Sequence, residues 1–172
     1  MSEPRVESSG SGTRFSLWRV LAGVIIGIMV LPVLVQLLLG RWPHQRSRRL
    51  ICHAHLQSLG VAFVLYSQEN GNVYPPASKW CDLLVGRYAR EESLHCDKGK
   101  EGQCDYAMNP LADPCGAPDI VLLFECRAGW NQAGGQEILS TKHHEGRGSN
   151  ILFVDGHVEF IGAEKVPLLR WK

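Results

Sequence analysis

The stretch Ile151-Leu152-Phe153-Val154-Asp155-Gly156-His157-Val158-Glu159-Phe160-Ile161 decides how this chain folds. Two runs rich in branched and aromatic residues flank an Asp-Gly pair, the pattern of two strands joined by a tight turn. Asp-Gly supplies the positive φ angles that a two-residue type I′ turn requires, so residues 151–154 and 157–161 are predicted to form a β-hairpin. Upstream, Ile120–Phe124 is a short apolar run bounded by turn residues and reads as a further, buried strand. A sheet with one apolar face needs a cover.

The cover is found earlier in the chain. Cys52, Leu56, Leu59, Phe63 and Tyr66 recur at spacings of 4, 3, 4 and 3, which places them on one face of a helix beginning near Arg46. Asn70-Gly71 ends that helix through the left-handed conformation, and Pro75-Pro76 forbids its continuation. A short helix is predicted to start at Ser78 as N-cap and to run through Trp80 and Leu84. Residues 91–118 are punctuated by Gly and Pro, and residues 128–149 hold five glycines, predicting a long surface loop. The tail through Trp171 carries no pattern. The expected fold class is α+β, an amphipathic helix packed on a small antiparallel sheet.

From Val20 to Gly40 the chain runs 21 residues without a charge. At about 1.5 Å per residue such a helix spans a hydrocarbon core. Pro32 and Gln36 fall inside it, and a lone proline is tolerated in membrane helices. The run exceeds the apolar region of a secretory signal, and Leu38-Leu39-Gly40-Arg41-Trp42 offers no small-x-small cleavage site, which predicts an uncleaved, single-pass anchor. The predicted organisation is a Ser-, Gly- and Glu-rich disordered tail over 1–14, a transmembrane helix over 15–40, and a domain over 41–172. Gly23-x-x-x-Gly27 is a close-packing pattern that suits association between membrane helices.

The net charge of +1 is unevenly placed. Residues 41–49 carry four arginines and no acid, whereas residues 50–172 carry 11 basic and 15 acidic groups. No broad basic surface points to nucleic acid. An arginine flank after the anchor would place the domain in the cytoplasm. Six cysteines, all beyond the anchor, point instead to an oxidising compartment, with Cys81, Cys96, Cys104, Cys115 and Cys126 as disulfide candidates and Cys52 either bridged or a buried thiol. Pairing is open among them.

His144, Asp155 and His157, with His143 beside them, are candidate metal ligands by proximity in sequence. Their spacing fits no zinc or calcium pattern, and Asp155 is already occupied as a turn residue. No nucleophile elbow, phosphate-binding glycine loop or His-Glu-x-x-His occurs. Trp80 and Trp130 suit packing better than recognition. Neither an enzyme nor a cofactor is expected. The sequence supports a structural or interaction protein, with a membrane-tethered metal- or ligand-binding module built on His, Asp and Cys as the alternative.

Several elements together resemble a large bacterial family of prepilin-like proteins with type II secretion pseudopilin architecture. The first is Cys52…Leu56…Leu59-Gly60…Ala62…Tyr66…Glu69-Asn70-Gly71…Tyr74-Pro75-Pro76. Tyr106-Ala107-Met108-Asn109 looks like the family's Tyr-x-x-Asn element, and Leu122-Leu123-Phe124-Glu125 like its strand ending in an acid. His144 followed by Asn150–Val158 looks like its closing motif of His, nine residues and Asp-Gly, although here ten residues intervene and His55 stands where Asn is usual. In place of the family's processing glycine and assembly-guiding acid stand Arg14 and Arg19, around Phe15-Ser16-Leu17-Trp18. The resemblance covers residues 46–161. It implies a pilin-like fold, a cytoplasmic-membrane anchor, an extracytoplasmic domain, and as partners the lipid bilayer and other membrane or pilin-like proteins reached through the N-terminal helix, while the departures at Arg14 and Arg19 imply an anchor neither cleaved nor methylated.

Overall fold

The computed structural model describes residues 12–39, 41–96 and 102–172. The chain divides into two compact units, Met1–His44 and Gln45–Lys172. In the first, α1 spans Gly12–Leu39 with Pro32 inside it. Its 20-residue stretch Trp18–Leu37 is long and apolar enough to cross a membrane, and none of it is buried. Of the tail expected over 1–14, residues 1–11 lie outside the described residues, and 12–14 belong to α1.

The helix α2 (Arg41–Glu69) begins in the first unit and, from Gln45 on, belongs to the second, where it turns the predicted face inward. Cys52, Leu56, Leu59, Ala62 and Phe63 are fully buried. The opposite side exposes Leu50, Val61, Val64 and Leu65, so Ser47–Glu69 also passes the length and composition test for a membrane span although its inner face is the domain core. The helix stops where expected. The amides of Asn70 and Asn72 both donate to the Ser67 carbonyl, at 3.2 and 2.8 Å, while Gly71 and Asn72 take φ of 73° and 60°.

Four antiparallel strands follow in simple meander order: β1 (Cys104–Met108), β2 (Val121–Gly129), β3 (Gly148–Phe153) and β4 (Val158–Gly162). The α+β reading therefore stands, with a sheet of four strands. Gly60 of α2 lies over β3: a Cβ there would be 3.1 Å from Leu152 Cδ1, so the bare backbone lets helix and sheet approach closely.

Several boundaries differ from the sequence expectation, each for a physical reason. The hairpin closes through three residues, not two: the Phe153 amide donates to the His157 carbonyl (3.0 Å) and the Gly156 amide to the Phe153 carbonyl (2.9 Å). Only Gly156 takes a positive φ, at 86°, which is a type I turn followed by a left-handed glycine rather than type I′. Asp155 is thereby spared a left-handed backbone, and its Oδ1 accepts the His157 amide at 3.0 Å. The short helix α3 covers Trp80–Leu84 with Lys79 at its N-cap position, one residue later than a Ser78 cap would give. Its cap comes from elsewhere, since the Cys81 amide donates to Asn131 Oδ1 (2.8 Å).

The sheet is buried on both faces. Toward α2 lie Leu123 and Leu152 with Trp80, Leu84, Leu94 and Tyr106. Away from it, Ala107, Val121, Phe124, Ile151 and Phe153 are covered by Ile138, Leu139, Val166, Leu169 and Trp171. The segment read as a surface loop over 128–149 and the patternless tail thus form the second cover. Trp171 stands edge-on to Phe124 at 5.0 Å, and the Val121 amide donates to the Arg170 carbonyl (3.0 Å).

Candidate functional site

One row across the sheet is polar although fully enclosed. Tyr106 on β1 pairs directly with Glu125 on β2, and Asn150 on β3 lies one step beyond the Phe124–Ile151 pair. Strand alternation sends Glu125 to the same face as Leu123, under α2. Glu125 is completely buried, as are Tyr106 and Asn150 within 1%.

A buried carboxylate is costly unless it is paired and hydrogen-bonded. Here it is both. His144, from the 3-10 turn Lys142–His144, places Nε2 at 2.9 Å from Glu125 Oε1. Asn150 donates twice, its backbone amide to Oε2 (3.0 Å) and its Nδ2 to Oε1 (2.8 Å). Burial pushes the Glu125 carboxyl up, but His144 and Asn150 outweigh it and hold the group below the usual carboxylate range. Burial alone would lower His144, yet Cys52 and Glu125 raise it to about 9. The pair is a carboxylate facing an imidazolium.

Two thiols complete the constellation. Cys52 descends from α2 and Cys96 follows the 3-10 turn Glu91–Leu94. The Cys52 thiol donates to the Cys96 carbonyl at 3.3 Å, and Cys96 Sγ lies 3.5 Å from Glu125 Oε1 and 3.6 Å from the Tyr106 hydroxyl. The neighbouring Cys96 thiol lowers Cys52 to about 7 against the opposing effect of burial, with His144 assisting. Cys96 itself is driven strongly upward by burial, by Cys52 and by Glu125. The two thiols are therefore inequivalent, one poised to ionise and one held protonated.

The residues singled out from the sequence scatter among three surroundings. His144 joins the buried constellation. Asp155 and His157 pair with each other on the exposed hairpin turn, where His157 also stacks on Phe153 at 4.3 Å. His143 bonds the Cys126 carbonyl through Nε2 at 2.7 Å. His144, Asp155 and His157 thus form no common site. All six cysteines are free thiols, and none of Cys81, Cys96, Cys104, Cys115 and Cys126 is bridged. Cys81 and Cys104 lie side by side in the core, and burial with the Cys81 thiol drives Cys104 upward. Cys126 lines the opposite face of the sheet, and Cys115 is exposed and accepts from Asn72 Nδ2 (3.1 Å).

Trp80 and Trp130 are structural. Trp80 is buried against Phe63 and donates from Nε1 to the Gln132 carbonyl (3.0 Å), while Trp130 Nε1 donates to Asp82 (2.6 Å). Glu125, Asn150 and Cys52 were not expected to share a site with His144. The one sequence signal was an acid within an apolar strand pattern. No family model matches the chain, and no curated protein or solved structure matches it.

Proposed function

We propose that the chain is a membrane-anchored, pilin-like structural or interaction protein, an accessory of a secretion or pilus-type assembly, carrying its second unit on the outer side of the cytoplasmic membrane. One observation carries the reading. An apolar helical stretch of 20 residues, none of it buried, precedes a helix whose inner face covers a four-stranded antiparallel sheet. In this reading the bilayer takes the side chains of Trp18–Leu37. Other membrane helices pack against Gly23 and Gly27, where an added Cβ would meet nothing within 4 Å.

Cys115 supplies the test, because it is the exposed cysteine among five buried ones. A membrane-impermeant maleimide applied to intact cells should label the full-length chain, and Cys115→Ser should abolish that label. The labelled chain should stay with the membrane pellet through alkaline carbonate extraction. Labelling only after lysis, or release by carbonate, overturns the proposal. Replacing Gly23 and Gly27 by Leu should reduce cross-linked oligomers in membranes; unchanged cross-linking would remove the helix-packing role.

A further inference from the structure

Four side chains with metal-binding atoms converge beneath α2 from four separate elements: Cys52, Cys96, Glu125 and His144. We propose that they form a binding site for a divalent transition cation of the zinc class, held by two sulfurs, one carboxylate oxygen and one imidazole nitrogen. Cys52 Sγ, Cys96 Sγ and a Glu125 oxygen all lie within 4.8 Å of one another. His144 Nε2 is 2.9 Å from Glu125 Oε1. Zinc bonds of about 2.0–2.3 Å in a tetrahedron set ligand atoms roughly 3.3–3.8 Å apart. The Cys52, Cys96 and Glu125 atoms need only small side-chain adjustments to reach that geometry, and His144 joins them from beside the carboxylate.

The hydrogen bonding also argues for a ligand. His144 Nε2 is approached at once by an acceptor, Glu125 Oε1, and by a donor, Asn150 Nδ2 at 3.1 Å. With Nε2 protonated toward Glu125, that second contact sets two N–H donors against each other. Exchanging the amide nitrogen and oxygen of Asn150 would instead set two oxygens against each other at Glu125 Oε1. Meanwhile His144 Nδ1 and Asn150 Oδ1 are buried without a partner. A polar network kept only for stability does not usually strand such atoms. A cation at Nε2 removes the conflict, because the nitrogen then offers a lone pair to the metal and Asn150 is left to orient Glu125. Asn150 and Tyr106 would act as the outer partners that position the ligands. Sulfur donors with imidazole select the zinc class over calcium or magnesium. Binding would release the two thiol protons and the imidazolium proton on His144 Nε2 to solvent.

The test uses the full-length chain purified in detergent without chelator and loaded with zinc or cobalt(II). One equivalent of metal per chain is expected, and cobalt should give thiolate-to-metal charge-transfer absorption with the intense visible bands of a tetrahedral centre. Cys52→Ser, Cys96→Ser and His144→Ala should each weaken binding at least about tenfold, whereas Cys115→Ser and His157→Ala should not. Because the core variants could unfold, the cobalt spectrum of the unsubstituted chain is decisive: no charge-transfer band overturns the proposal. So does a Cys52–Cys96 disulfide in the purified protein, or unchanged affinity in folded His144→Ala. Neither the cobalt spectrum nor the His144→Ala affinity bears on membrane topology, so this proposal and the anchoring proposal can fail separately.

Discussion

Asn150 grips Glu125 from two directions, with its backbone amide on Oε2 at 3.0 Å and its side-chain Nδ2 on Oε1 at 2.8 Å. Both residues are completely buried, so no water replaces a lost donor. Asn150→Ala leaves the backbone bond and removes the other while opening a small cavity. A hydrogen bond to a buried charge contributes about 1.5–3 kcal/mol, so the variant should lose about that much stability. Urea denaturation of the metal-free chain checks it. A loss under about 0.5 kcal/mol, the size of a neutral surface change, would mean that Glu125 does not depend on this donor.

Gly148 opens β3 against β4, and its absent side chain matters more than its flexibility. An added Cβ would sit 2.2 Å from the Ile161 carbonyl and 2.9 Å from the Phe160 ring. The carbonyl is backbone, fixed by the Gly148–Gly162 and Ser149–Ile161 pairs, and cannot step aside without breaking the ladder. Gly148→Ala should cost about 1–3 kcal/mol, the range for forced overpacking, and should raise amide exchange in Val158–Gly162. Gly134→Ala is the contrasting variant. Its crowding atoms are the side-chain ends of Glu137 and Ile138, which can move, so it should cost less.

The hairpin and the inner face of α2 were legible because each rests on a local period, alternation around Asp155-Gly156 and a 4, 3, 4, 3 spacing from Cys52 to Tyr66. What was not legible depends on partners far along the chain. β2 looked finished at Phe124 because a glutamate follows, yet Glu125 continues the strand inward once His144 and Asn150 arrive 19 and 25 residues later. β1 is five residues with Asp105 inside a Gly- and Pro-rich segment, so no period stands out. The tail's task is visible only when Trp171 meets Phe124. The site is hidden for the same reason. Its donors at 52, 96, 125 and 144 contain no close pair of the Cys-x2–4-Cys kind that announces zinc.

Asn131 caps a helix to which it is not adjacent in sequence. It accepts from the Cys81 amide at 2.8 Å and donates to Asp82 Oδ2 at 2.7 Å, fastening the turn after β2 onto the start of α3. Its φ of 51° is left-handed, so replacement by Ala would confuse lost capping with backbone strain. Asn131→Gly keeps the conformation accessible and removes only the side-chain bonds. The expected loss is about 1 kcal/mol, measured by thermal or urea unfolding, with the fluorescence of buried Trp80 as a local probe. If Asn131→Gly matches the parent within about 0.3 kcal/mol, the first turn of α3 is held by packing alone.

The hairpin turn should carry a pH signature of its own. Burial is the largest single influence on the Asp155 carboxyl and raises it, but the His157 amide and ring together outweigh it and hold the group below the ordinary carboxylate range. The folded value is depressed, so the stabilisation is fully present above the unfolded value of about 3.9 and is lost as pH falls through the folded one. Asp155→Asn keeps an oxygen for the His157 amide and removes the titration. The stability difference between parent and variant should therefore be constant above about pH 5 on the acid limb and shrink below about pH 4. Both side chains are more than a third exposed, so the effect should also weaken in high salt. A difference that grows on acidification would reverse the sign. It would show that protonated Asp155 is better held in the folded turn than in the unfolded chain.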